Sequence, residues 1–496
     1  MQTEIIELLK QLGPGKMSAT AYDTAWVARL GDIDSDLSNR ALEWLNENQL
    51  PDGSWGALAP NYYHDRVIAT LAAMIALTER GRRAHDRQQI ENGLLALDKI
   101  TSGATKGLLA DPNGATVGFE MIVPTLVAEA EKRGIIKQQG ERILGRLSRL
   151  RQIKMAKLEG KKISRYLTPA HSAEMAGKDN TSSLDVDNLQ EGNGSVGNSP
   201  SATAYHALFV MPSDSKALGY LHQVVSDTGG APTLAPFELF EKTWVLWNLS
   251  LAGLEDENEE VESLFRDNLD YIEKNWVTGK GLGLSSSFSI TDSDDTAVGF
   301  ELLNRFGRKA DIETLLEYEE EEWFRCFHFE ANPSIDVNVH ILGALHQAGY
   351  DKDHPTVRKI ISFVRSRRQP EKYWLDKWHV SPFYTTAHVV MYCKGYDDQL
   401  CEESVNWILN SQRTNGSWGF YDFSTAEETA YCIQALQIWR RYGKVIPKDR
   451  IKSALTWLTN HAQPPYPPLW IDKSLYRPDL IVRSSVLSAL ALAKEG

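Results

Sequence analysis

Apolar residues recur along this chain at the spacing of helices. Ile68, Leu71, Met74 and Ile75 fall on one helical face, as do Leu342 and Leu345 with His346 beside them, because positions three or four apart return to the same side of a 3.6-residue turn. No stretch alternates apolar and polar residues far enough to build a substantial sheet. Between the helical stretches a motif repeats. Trp44, Gln49, Gly53, Ser54, Trp55 and Gly56 match Trp407, Gln412, Gly416, Ser417, Trp418 and Gly419 position for position, and Gln190, Asn193, Gly194 and Ser195 form a weaker copy with Val196 in place of the tryptophan. Each copy reads as a helix ending in Gln, an Asx-Gly turn needing positive φ, and a Trp folded back over the turn. The next helix opens on a small Thr-Ala pair, as at Thr203-Ala204, Thr386-Ala387 and Thr429-Ala430. The prediction is an all-α chain of double-ringed α/α-barrels.

Composition narrows this picture. A chain of 496 residues can bury more than one core. Its longest apolar candidates, such as Val67 to Leu77, are too short to span a bilayer and read as buried helices. Met1 to Leu12 has neither the basic start nor the apolar run of a secretory signal, and the four cysteines show no metal-ligand spacing, so a reducing cytoplasmic setting is expected. A net charge of −13 argues against a nucleic-acid partner. The local basic cluster of Lys154, Lys157, Lys161, Lys162 and Arg165 is either a solvated helix face or a contact for a phosphate-bearing substrate.

The segment that changes the reading is Asp292-Ser293-Asp294-Asp295-Thr296-Ala297, three carboxylates within four residues. Thr296-Ala297 places them at the start of an inner helix. Asp and Ser there are ordinary N-cap residues. In a low-dielectric cavity, however, burial and like charge raise carboxyl pKa values, so at least one should keep its proton and serve as an acid.

The acid motif together with the Gln…Gly-x-Trp repeats resembles the class II terpene cyclases, which share a fold with squalene cyclases. Ser18 to Ala28 and Leu469 to Tyr476 are similar to the diterpene branch, and the match runs over almost the whole chain. It looks like the bacterial two-domain enzymes that make tuberculosinyl (halimadienyl) and kolavenyl diphosphates. The resemblance implies two α/α-barrels in the βγ architecture with the active site between them: a β domain of residues 1–35 plus 256–496 and an inserted γ domain of 36–255. No D-D-x-x-D is retained, since Asp397-Asp398-Gln399-Leu400-Cys401 fails at its last position, so the substrate should be protonated with its diphosphate kept.

The resemblance also implies roles. Asp294 is the general acid that protonates the terminal alkene of geranylgeranyl diphosphate. Asp292 and Asp295 tune it and return its proton from solvent, and Asn338 hydrogen-bonds it. Lys377 contacts the diphosphate, with a second lysine expected near Lys154 or Lys157. Trp374, Trp378, Tyr384 and His388 are candidates for an aromatic cavity that stabilises cations. Mg2+ assists the diphosphate, with Asp65 as the retained ligand. The plant His–Asn pair that holds the terminal base is represented by His171, with Thr233 at the Asn position. Loss of that pair favours a rearranged halimadienyl or clerodane product over copalyl diphosphate. Farnesyl diphosphate, giving a drimenyl product, is the alternative substrate. A class I synthase or phosphatase would consume the product, and a homodimer stays open. Among rivals, a squalene cyclase needs more repeats and a membrane-docking segment. Barrel glycosidases carry their carboxylates on separate loops, and a helical scaffold would need no acid.

Overall fold

The computed structural model describes residues 1–102, 115–137, 139–145, 147–158, 160–328, 330 and 332–495, and its described strands are two-residue pieces among helices. Six helices close an inner ring: Glu238–Leu251, Ser293–Arg305, Ile335–Gln347, Pro382–Cys393, Ala426–Arg441 and Asp479–Leu492, each packed on the next and the last on the first. Outer helices, among them Glu259–Asn275, Pro355–Ser366, Asp398–Asn410 and Lys448–His461, alternate with them, and Gln2–Gln11 packs on Glu259–Asn275 and Asp479–Leu492. Burial separates the layers. Ala426–Arg441 is covered nearly all round, whereas Pro355–Ser366 buries a stripe containing Val357, Ile360, Phe363 and Val364, as a surface helix should.

A second ring runs through Ala21–Ala28, Tyr63–Arg80, Phe119–Lys132, the 3-10 segment Thr168–Ala176 and Pro200–Tyr205. Each ring encloses its own apolar core. The exchange points differ from the expected 35 and 255. Ala21–Ala28 belongs to the second core through Tyr22 and Trp26, and Glu238–Leu251 to the first through Trp244 and Trp247. The chain crosses between barrels as two antiparallel extended pieces, Ala19–Thr20 against Ala231–Pro232. The helices flanking that crossing therefore change sides.

The repeats are clamps at the inner-helix starts. Trp55 and Trp418 donate Nε1–H to Leu45 O (2.8 Å) and Ile408 O (2.7 Å), and their backbone N–H groups donate to Thr70 Oγ1 and Thr429 Oγ1. Gln49 and Gln412 each donate to the turn carbonyl four residues on, at Gly53 and Gly416, whose φ values are +90° and +91°. Trp374 is a further clamp, donating its Nε1–H to Val364 O (2.8 Å) and its backbone N–H to Thr386 Oγ1 (3.2 Å); it is fully buried by that role and is not a cavity wall. The same threonine bond recurs where tryptophan is absent, at Val196 with Thr203 and at Leu282 with Thr296. The acid motif thus sits on a clamp of the same design.

A hairpin joins the barrels. Trp470–Ile471 pairs with Leu475–Tyr476, and its tip reaches the second barrel. Lys473, fully buried, donates to Glu174 (2.8 Å), Ser199 (2.6 Å) and Ser201 (2.8 Å), while Tyr22 donates to Glu174 (2.8 Å). The two terminal stretches that carried the diterpene resemblance therefore meet at one seam.

Candidate active site

Asp292 caps the helix Ser293–Arg305. Its Oδ1 accepts from the N–H groups of Asp294 (3.0 Å) and Asp295 (2.8 Å), so Asp292 is the N-cap. Of the three carboxylates only Asp294 is partly exposed, at 18%; Asp292 and Asp295 are 2% and 1% exposed. Their burial removes the expected direct contact with solvent. Among the described residues no hydrogen-bond partner elsewhere reaches the Asp295 oxygens. Burial first, then the charges of Asp292 and Asp294, drive the Asp295 carboxyl well above its ordinary range. Burial also lifts Asp292 to about 7, against the pull of the Asp295 carboxyl and amide. Burial and like charge therefore favour the neutral form of Asp295 beside Asp292. Asp294 lies in the first turn of the helix, where the positive end of the dipole stabilises its carboxylate once a proton leaves.

Both buried carboxyls titrate higher in the fold than in the unfolded chain. The unfolded state then binds fewer protons near neutrality, and their cost to stability grows as pH rises above about 4. Asp295→Asn should gain most on the parent at pH 7 to 8 and lose that gain as pH falls toward 4, with a slope of up to about 1.4 kcal/mol per pH unit. Urea unfolding across pH reads this directly, and a difference flat in pH would contradict a neutral Asp295.

The partner of Asp294 is His340. Its Nδ1 lies 2.6 Å from Asp294 Oδ1, and its Nε2 lies 3.2 Å from His388 Nδ1. Asn338 does not reach the acid: its amide donates to Phe324 O (3.0 Å) and Ser334 O (2.7 Å), and its Oδ1 accepts from Phe324 N–H (2.8 Å). Residues two apart on a helix point roughly 200° apart, so only one of the pair can face Asp294. The signal was in the sequence, as a histidine two residues after the asparagine.

Around these groups stand aromatic rings. Tyr384 accepts from Trp244 Nε1–H (3.3 Å), stacks on His379 (4.6 Å between centroids), and meets His388 (4.2 Å), Tyr431 (4.9 Å) and Trp470 (5.1 Å) at their edges or faces. Trp244 packs on His340 at 5.6 Å. The Trp and Tyr rings among them present negative faces that attract a cation.

Lys377 donates to Asn332 O (2.7 Å), pairs with Glu330, and lies 4.8 Å above the Trp378 ring. Burial lowers its ammonium to about 7; the Lys154 charge adds to that, while Cys326 and Asp294 oppose it. Lys154, paired with Glu120, thus brings a second cation from the other barrel toward the same place. The loop is fixed by Asp376, which accepts from Ile335 N–H (2.6 Å) and Ser334 Oγ–H (3.0 Å) at the start of the His340 helix.

His171 and Thr233 converge on Asp472, a residue the sequence reading did not single out. His171 Nε2 lies 3.1 Å from its carboxylate and Thr233 donates to it at 2.6 Å. Burial would raise Asp472, but His171, Thr233 and Lys473 hold it below its ordinary range. Asp65 does not fit a Mg2+ ligand. It is fully buried, its Oδ2 accepts from Ala57 N–H (2.7 Å) and its Oδ1 from Leu475 N–H (2.9 Å), tying the hairpin to the second barrel. Among the described residues no cluster of three His, Cys, Asp or Glu is arranged to hold a metal, and no helix is long and apolar enough to cross a membrane. A separate cleft of about 780 Å³ opens beside Lys16, Glu238, Lys242 and Tyr271 and contains none of the acid-centre residues.

Comparison with known proteins gives the family. Residues 328–437 match the squalene-hopene cyclase C-terminal domain. The chain is 50% identical to a type B diterpene cyclase of Mycobacterium tuberculosis over 98% of this chain and 97% of that one. It is 28% identical to the (+)-kolavenyl diphosphate synthase of Herpetosiphon aurantiacus over 97% and 95%. The structure superposes on ent-copalyl diphosphate synthase from Streptomyces platensis with a TM-score of 0.80, at 28% identity and 99% coverage of both chains. An acid centre at an inner-helix start, a two-barrel fold and this level of identity place the chain in the class II diterpene cyclase family.

Proposed function

We propose that the chain cyclises geranylgeranyl diphosphate to a bicyclic diterpenyl diphosphate by protonating its terminal alkene. The observation that carries the proposal is the partly exposed Asp294, backed by a buried carboxyl pair and bonded to His340, among aromatic rings. Asp294 gives its proton to the less substituted alkene carbon, leaving a tertiary cation. The π electrons of the next two alkenes then form two carbon–carbon bonds in sequence, and a base removes a proton from the last cation. Pre-positioned donors and rings that meet charge only as it develops are the main source of such acceleration. Lys377 and Lys154 are the cations for the diphosphate, which stays attached.

The product skeleton follows from how the early cation escapes deprotonation. His171 spends both ring nitrogens, on Gly197 O and Asp472, and Thr233 spends its one proton on Asp472, which supports a site without the His–Asn pair that would hold a water to quench the first bicyclic cation. A rearranged halimadienyl or clerodane (kolavenyl) diphosphate is the expected product. Incubation with geranylgeranyl and farnesyl diphosphates separately, then dephosphorylation and NMR, tests this. A rearranged C20 alcohol is expected. Copalol would overturn the skeleton, and turnover of the C15 substrate alone would move the chain to drimenyl synthesis. The diphosphate product calls for a class I synthase or a phosphatase to consume it.

A further inference from the structure

His388 stands behind the acid centre without reaching it. It rises from the inner helix Pro382–Cys393, is fully buried, and is enclosed by Tyr384 (4.2 Å), Trp247 (5.3 Å) and Tyr431 (5.6 Å). Its Nδ1 faces His340 Nε2 at 3.2 Å, while its Nε2 has no partner among the described residues. Burial, with His340 and His379 nearby, holds it well below the ordinary histidine range, so it carries one proton.

The position of that proton can be argued from what each choice strands. A proton on Nε2 would leave an N–H donor unpaired among aromatic rings, and orphaned buried N–H groups are rare because the lost hydrogen bond costs about 1–3 kcal/mol. A proton on Nδ1 strands only a lone pair and points the N–H at His340. His340 then accepts at Nε2 and carries its own proton on Nδ1, where it donates to Asp294 Oδ1. The acid proton is left on Oδ2, free of that bond.

We infer that His388 is a positioning residue: its Nδ1–H fixes the His340 tautomer whose Nδ1–H supports the Asp294 carboxylate as the proton departs. The inference rests on Asp294 being the acid. It assigns His388 no contact with substrate and gives every donor in the row the same direction, His388 to His340 to Asp294. Bonds aligned in this way polarise and reinforce one another.

Two measurements test it. In protein labelled with 15N-histidine, His340 signals, identified by their loss in His340→Asn, should show the proton on Nδ1 and an unprotonated Nε2. A His340 protonated at Nε2 would overturn the inference whatever the activity. In kinetics, His388→Leu should lower kcat roughly ten- to hundredfold, by analogy with removing the outer hydrogen-bond partner of a metal-ligating histidine, with KM unchanged. His388→Asn, whose amide nitrogen stands near the Nδ1 position, should restore most of it. Equal losses in the two folded variants, or no loss in either, would overturn the inference. An active Asp294→Asn would instead remove the acid assignment itself, which the tautomer signal does not depend on.

Discussion

Asp294→Asn should lower turnover of geranylgeranyl diphosphate by roughly 10³- to 10⁴-fold, the upper range for loss of a positioned general acid, with unfolding and substrate affinity close to the parent. Asparagine keeps the shape and can still meet His340, but its amide has no proton acidic enough for an alkene. The three carboxylates do not share this sensitivity equally. Asp292 and Asp295 are buried beneath the chemistry, and Asp292 spends one oxygen on the helix cap. Their amide variants should slow the reaction through the acid they support, by less than Asp294→Asn does. Side-by-side kcat values check the order, and an Asp294→Asn protein that turns over within tenfold of the parent would contradict it.

Lys473→Met should have the largest effect on stability, about 3–5 kcal/mol, the cost of leaving one member of a buried ion pair without its partner. Lys473 and Glu174 are both fully enclosed at the seam between the barrels. Methionine fills much of the lysine's volume, so the loss is electrostatic. Tyr22 and Ser201 still donate to Glu174, which places the cost inside that range rather than above it. Glu174→Gln in the Lys473→Met background should recover part of the loss, because the stranded charge is gone. Because the pair joins two cores, urea unfolding should also separate into two transitions. A single transition shifted by less than about 1 kcal/mol, the scale of an exposed pair, would contradict the seam's role.

The parts legible in the sequence are those whose physics is local. Gln412 closes its turn on Gly416 O, and Trp418 folds back to Ile408 O on the preceding helix, so their spacing foretold the clamp. The crowding of Asp292, Asp294 and Asp295 foretold a neutralised carboxyl for the same reason. What the sequence hid depends on distant partners. Asn338 and His340 share one helix, and only the approach of Ser293–Arg305 decides which one meets the acid. Asp65 looked like a metal ligand until the backbone of Leu475, 410 positions away, was found to use it. The exchange of Ala21–Ala28 and Glu238–Leu251 between barrels depends on a two-residue pairing that no periodicity marks.

The most direct test of protonation-initiated cyclisation is a single turnover of geranylgeranyl diphosphate in D2O, read by 31P and 2H NMR. On the proposed mechanism Asp294 delivers an exchangeable proton, so the cyclised product should carry one deuterium in a ring methylene and keep both phosphorus atoms. A cyclic product free of deuterium, with inorganic diphosphate released, would contradict the account.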